Sequence, residues 1–265
     1  MIDRFVSRTI LGLAAAALMA PAVFAETAAA PVAEAKVPQC PVQEYAMGLR
    51  YQQQSAEVRA LQLQAYAVAT ANLKAAIAKA ADPKKLAVVT DLDETAIDNS
   101  ALLVRDMENC HNFDTWDTWS DWELHGHPTA IPGALDFFNF ADKAGVAIYY
   151  ISDRFGEPEN KAATIATLKE LGFPQVSDEN VLLYGTSKAE RRAVVAKDHQ
   201  IVLLLGDTLH DFDAVFRKAP TDVKREEVGK NAAHFGADWI VFPNSTYGDW
   251  STAKLKAWDA PLKTQ

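Results

Sequence analysis

Cysteine is nearly absent from this chain: Cys40 and Cys110 are the only two thiols among 265 residues. Two sulfurs cannot build a cysteine-rich zinc or iron–sulfur site. A basic excess is missing too, with 26 Lys and Arg against 35 Asp and Glu and a net charge of −9. That balance offers no broad electrostatic footprint for a nucleic acid polymer. Long apolar runs are scarce as well. The one candidate, residues 10–20, is preceded by Arg4 and Arg8, interrupted by Pro21 and followed by Val23-Phe24-Ala25. It is too short for a transmembrane helix and has the layout of a secretory signal peptide cut after Ala25. No cysteine lies at that point to take a lipid, so the expectation is a periplasmic or secreted protein without a stable membrane anchor. The mature chain would carry 24 basic and 34 acidic residues. In an oxidising compartment Cys40 and Cys110 can pair, which would tie the N-terminal segment to the loop after the first strand.

Against these absences stands one concentrated feature. Residues 86–95 read L-A-V-V-T-D-L-D-E-T, an apolar run that ends in three carboxylates within four residues. The run suits a buried parallel strand, and in open α/β sheets ligands bind just beyond the carboxyl ends of such strands. The period of two sends Asp91 and Asp93 to the same side. Two carboxylates that close repel each other unless a cation lies between them or one keeps its proton. The spacing alone is equally compatible with a solvated turn.

Residues 26–40 lack periodicity and read as a disordered leader, and residues 41–82 as a helical segment with one or two helices. The core is expected over residues 83–258, followed by a short tail at 259–265. Residues 98–130 are too long for a simple βα loop and are expected to form an inserted cap or lid. This insertion holds Trp116, Trp119, Trp122, His125 and His127. Its tryptophans fit a small satellite core or an aromatic wall for a flat ligand, and its histidines fit metal ligation or plain solvation. Further on, apolar strands recur between helices. V-A-I-Y-Y-I ends in Ser152-Asp153-Arg154, V-L-L-Y precedes Lys188, and I-V-L-L-L ends in Gly206-Asp207 with Asp211 four residues on. This rhythm predicts an α/β fold with a doubly wound parallel sheet.

Four strand ends thus carry D-L-D, Ser, Lys and G-D-x-x-x-D, in that order. The set resembles the haloacid dehalogenase superfamily, and within it the class C, four-aspartate acid phosphatases of the lipoprotein e type of 5'-nucleotidase. D-L-D-E-T-x-x-D-N-S at residues 91–100 is similar to their first signature, and G-D-x-L-x-D-F at 206–212 to their second. Q-Q-S-A-E-x-x-A-L-x-x-Q-A-Y in the N-terminal helix and P-N-S-T-Y-G-D-W near the C-terminus add support. The likeness spans about residues 45–258. It implies a Rossmann-like core with a small, mainly helical cap built from the N-terminal helices and the insertion.

By the same resemblance, Asp91 would be the nucleophile and Asp93 the general acid and base. Mg²⁺ would be held by Asp91, the backbone carbonyl of Asp93, Asp207 and Asp211, the last through a water. Ser152, Lys188 and Arg154 would bind phosphate, with Arg154 equally open to a structural ion pair. Trp119 and Tyr247 would hold a nucleotide base. The implied activity is hydrolysis of small phosphomonoesters, 5'-nucleotides and nicotinamide mononucleotide among them, and the chain is compatible with a homodimer. Phosphoryl transfer to an alcohol would use the same residues, and haem binding without catalysis is the alternative from another class. Asp153 stands where the family often has Asn, which places an extra negative charge near the phosphate.

Overall fold

A computed structural model describes residues 40–112, 115–259 and 261. The expected signal peptide and nearly all of the expected leader fall outside the described residues. The N-terminal helical stretch is two helices, α1 (Ala46–Gln54) and α2 (Ala56–Lys79). Ser55 separates them because its extended backbone stops α1 while its hydroxyl accepts from the Val58 amide and caps α2.

The main sheet has five parallel strands, β1 (Leu86–Thr90), β4 (Ala147–Ile151), β5 (Val181–Leu182), β6 (Gln200–Gly206) and β7 (Trp239–Val241). Their order is β5-β4-β1-β6-β7. All five residues of β1 are buried, as a central strand covered on both faces requires. From β1 the chain runs outward to β4 and β5, then crosses back to β6 and β7. The direction of winding therefore reverses between β1 and β6, where a doubly wound sheet opens its crevice.

On one face, α2, α5 (Ala134–Lys143) and α6 (Pro158–Glu170) close the larger core, with Tyr66, Leu73, Phe137, Phe138, Leu168 and Phe242 at its centre. On the other, α7 (Lys188–Val195) packs Val195 against β1 and β4, and Phe212, Phe216 and Trp239 form a smaller cluster near α8 (Thr221–Lys230). The predicted insertion contains a two-stranded antiparallel pair, β2 (Ile97–Asp98) with β3 (Thr129–Ala130), and two helices, α3 (Ser100–Glu108) and α4 (Trp119–His125). The N-terminal helices divide between core and cap. Helix α2 lays Ala65, Tyr66, Ala69 and Leu73 on the sheet, whereas α1 packs on α3.

Cys40 and Cys110 form the expected disulfide, with Cα atoms 5.4 Å apart. Closing a loop of this length removes unfolded-state entropy worth about 4 kcal/mol in the chain-entropy model. No helix among the described residues is long and apolar enough to cross a membrane.

Candidate active site

The strand ends converge at the crevice. The Asp91 amide donates to the Leu205 carbonyl at 2.9 Å, which joins the end of β1 to the end of β6 just before Asp207. Carboxylate oxygens of Asp91, Asp207 and Asp211 lie within 4.8 Å of one another. Lys188, the first residue of α7, is held there by the Ser187 and Glu190 capping box. Its Nζ donates to Asp91 Oδ1 and to Asp211 Oδ1, each at 2.6 Å.

Burial alone would pull the lysine down, but Asp211 and Asp91 outweigh it and keep the ammonium charged. Burial pushes Asp91 well up against Lys188, with Asp211 and Asp207 adding repulsion. Asp207 is raised by burial and by Asp211, although Asn244 Nδ2 donates to it at 2.6 Å. Asp211 goes the other way: burial is outweighed by Lys188, and the amide and hydroxyl of Thr208 also donate to it at 3.0 and 2.8 Å. Although Asp91 and Asp211 share one ammonium, Asp211 has extra donors and keeps its charge. Asp91 and Asp207 lack enough positive charge. Two buried carboxylates that share an ammonium, with the half-buried Asp207 beside them, are all hard oxygen donors and fit a divalent cation.

Asp93 sits in different surroundings. Ser152 Oγ donates to its Oδ2 at 3.0 Å, and Asn99 Nδ2 to its Oδ1 at 2.9 Å. Arg154 pairs with it through Nε at 2.9 Å and Nη2 at 2.8 Å. Ser152 and Arg154, expected on the phosphate, thus engage Asp93 here, and the ion-pair alternative for Arg154 is the one present. The Asp93 side chain is not part of the three-aspartate cluster. The extra charge of Asp153 is matched by the buried Arg191, which donates to it, and His210 Nε2 lies 3.5 Å from its other oxygen. Burial works against that ionisation, but His210, Lys188 and Arg191 together hold the Asp153 carboxyl below its usual range.

Trp119 and Tyr247 do come together, with ring centroids 5.7 Å apart and planes at 89°. Both are buried, in a cluster with Leu49, Leu102 and Leu103. Trp116 lies 5.3 Å from Trp119 and 5.7 Å from Tyr247 and is 45% exposed, so it presents the open ring. Trp119 therefore belongs to a small satellite core, with Trp116 at its exposed edge. His125 is not gathered into the aspartate cluster; it pairs with Asp121.

Sequence reasoning missed Glu94, Asn99 and Asn244 as parts of the site. Glu94 adopts φ +55° and is 1% exposed. Burial, followed by Asp93, raises it to about 8, and it accepts hydrogen bonds from the Tyr247 hydroxyl and the Asn99 amide. The signal was the third carboxylate in the first signature. Asn99 and Asn244 also lie inside the quoted motifs, but nothing in their spacing told which aspartate each would reach.

A buried aspartate at the switch point of this sheet, beside a lysine and two further carboxylates, is the arrangement of a haloacid dehalogenase-like phosphatase. The chain belongs to the HAD superfamily, subfamily IIIB (acid phosphatase), whose family model matches residues 10–250. It is similar to the class C acid phosphatase from Bacillus anthracis. One structure of that enzyme shares 36% identity over 79% of this chain and 87% of the other, with a TM-score of 0.73. A second, with tungstate bound, shares 34% identity over 83% and 93%, with a TM-score of 0.75. The activity is that of an acid phosphatase.

Proposed function

We propose that the protein is an exported, Mg²⁺-dependent phosphomonoesterase that acts on 5'-nucleotides, nicotinamide mononucleotide included, through an aspartyl-phosphate on Asp91. The observation that carries the reading is the contact of Lys188 with both Asp91 and Asp211 beside Asp207. It puts the nucleophile, a fixed cation and an oxygen ligand set at one point.

An Asp91 carboxylate oxygen bonds to phosphorus while the ester P–O bond breaks, and the leaving oxygen takes the proton of Asp93 in its acid form. Asp93, now a carboxylate, takes a proton from water as the water oxygen bonds to phosphorus. The Asp91–phosphorus bond breaks, which restores both groups and frees phosphate. Lys188 donates to the phosphoryl oxygens, where charge is spread in a loose transition state. Ser152 and Arg154 hold Asp93 and are the next donors in reach of the phosphate. Asp91, Asp207, Asp211 and the Asp93 carbonyl would hold the divalent cation, which when bound supplies the charge that lets an anionic nucleophile meet an anionic ester. Tungstate, bound by the Bacillus anthracis relative, is a tetrahedral oxoanion like phosphate and supports the same anion site here.

The aromatic group supports the substrate class. Trp116 is the exposed ring, with Tyr247 edge-on to it and Trp119 tilted against it. Stacking tolerates any base, at about 1 to 3 kcal/mol for each platform. Export is supported by the N-terminal segment and by the disulfide. The haem alternative is not favoured, because the nucleophilic aspartate of an enzyme is present.

The direct test is phosphate release from mononucleotides, nicotinamide mononucleotide and sugar phosphates, before and after chelation, with Mg²⁺ added back. Nucleotides should lead, and activity should return with Mg²⁺. A chelated enzyme at full rate would overturn the metal role, and preference for sugar phosphates would overturn the substrate class. Product analysis with an added alcohol separates hydrolysis from transfer.

A further inference from the structure

Helix α4 lies in the insertion, yet two consecutive residues of it end on the walls of the Asp93 cage. Trp122 Nε1 donates to Asn99 Oδ1 at 2.8 Å. The same oxygen accepts from Arg154 Nη2 at 3.0 Å, while Asn99 Nδ2 donates to Asp93 Oδ1 at 2.9 Å. Indole and guanidinium nitrogens are donors only, so together they fix which way the Asn99 amide points. With its oxygen claimed on that side, the NH₂ group must face Asp93. Next along the helix, Glu123 is 3% exposed and grips the opposite wall. Its Oε1 accepts from the backbone amide of Phe155 at 3.3 Å, directly after Arg154, and its Oε2 accepts from Asn160 Nδ2 at 2.8 Å on α6.

We propose that α4 is the positioning element for the general acid, with Trp122 acting through Asn99 and Glu123 acting through the chain at Phe155 to fix Asp93 over the leaving oxygen. The inference rests on Asp93 as the general acid. Neither α4 residue bonds to Asp93 itself, so both act at one remove. Their loss should leave phosphate binding and the attack of Asp91 intact while blunting proton delivery. Proton delivery matters most for esters whose leaving alkoxide is strongly basic. A small misplacement of a reacting group can cost up to about a hundredfold in rate.

The test compares glycerol 2-phosphate, an alkyl ester, with p-nitrophenyl phosphate, whose leaving group needs little protonation. Trp122→Phe removes one N–H and keeps a ring. It should lower kcat on the alkyl ester about tenfold or more, by the same misplacement, with the aryl ester changing far less and KM steady on both. Asn99→Ala should show the same bias, and the double variant should be no more biased than Asn99→Ala alone, since the two residues act in series. Glu123→Gln reads the second grip independently and serves if Trp122→Phe folds poorly. Equal losses on both esters, or additive effects in the double variant, would overturn the proposal. Asp93→Asn is the reference. If it shows the leaving-group bias and the α4 variants do not, the positioning role alone fails; if it shows none, the general-acid reading fails and the positioning role with it.

Discussion

The two aspartates of one D-L-D motif stand two residues apart in opposite electrostatic settings. Asp91 shares a single ammonium with Asp211 and feels Asp207 beside it, so its half of the site is short of positive charge. Asp93 is ringed by donors from Ser152, Asn99 and Arg154. A carboxylate beside other carboxylates suits attack once a cation joins them, while a carboxylate held by fixed donors suits proton traffic from a fixed point. The residue type is the same in both, and the environment alone sets them apart.

The largest expected effect breaks the first half. Asp91→Asn is nearly isosteric but cannot form the covalent intermediate, so turnover should fall by at least about three orders of magnitude, as for other lost nucleophiles. Steady-state assays with circular dichroism would check this, and substantial residual activity in a clean, folded preparation would remove Asp91 as nucleophile. Asp93→Asn probes the second half. General-acid loss typically costs about 10² to 10⁴; that range is expected on alkyl phosphates, with a much smaller loss on aryl phosphates. Equal losses would mean that Asp93 serves the metal cluster instead.

Lys188→Met sharpens the comparison through stability. Removing one partner of a buried ion pair typically costs about 3 to 5 kcal/mol. Because the remaining carboxylates then have no ammonium, the thermal midpoint of the variant should rise more steeply with added Mg²⁺ than that of the parent. Parallel Mg²⁺ dependences would argue against a shared cation site.

The smallest effect sits at the edge of the Asp93 half. Burial raises Glu123 to about 7, with Arg154 and the Asn160 hydrogen bond only partly offsetting it. A raised carboxyl binds its proton more tightly when folded. Its contribution is therefore complete below the ordinary Glu range and is lost as pH rises through about 7. The thermal midpoint should fall by several degrees across that window, at roughly 2 to 4 °C per kcal/mol for a domain of this size. Glu123→Gln should flatten the fall. Melting curves at pH 5 and 7.5 would decide it, and an unchanged slope in the variant would point to another group.

Much of the fold was legible because its signals are local. The apolar run at 86–90, ended abruptly by carboxylates, reads as a buried strand and is one. The D-L-D and G-D-x-x-x-D spacings likewise marked Asp91, Asp207 and Asp211, whose carboxylates gather within 4.8 Å just beyond the ends of β1 and β6. The N-terminal segment was read as helical, but which of its helices joined the core depended on partners distant in sequence. Tyr66, for example, packs on Phe242 and Phe137.

By itself, then, the sequence determined the five strands of the main sheet, because short apolar runs between helical stretches are a local signal. Only the tertiary structure decided who meets whom: Lys188 with Asp91 across 97 positions, Arg154 with Asp93 across 61, Tyr247 with Glu94 across 153. A pattern of spacing orients a side chain relative to its own backbone. The partner, and with it the charge balance around each aspartate, is set by how the sheet is wound and which loops fold over its carboxyl edge.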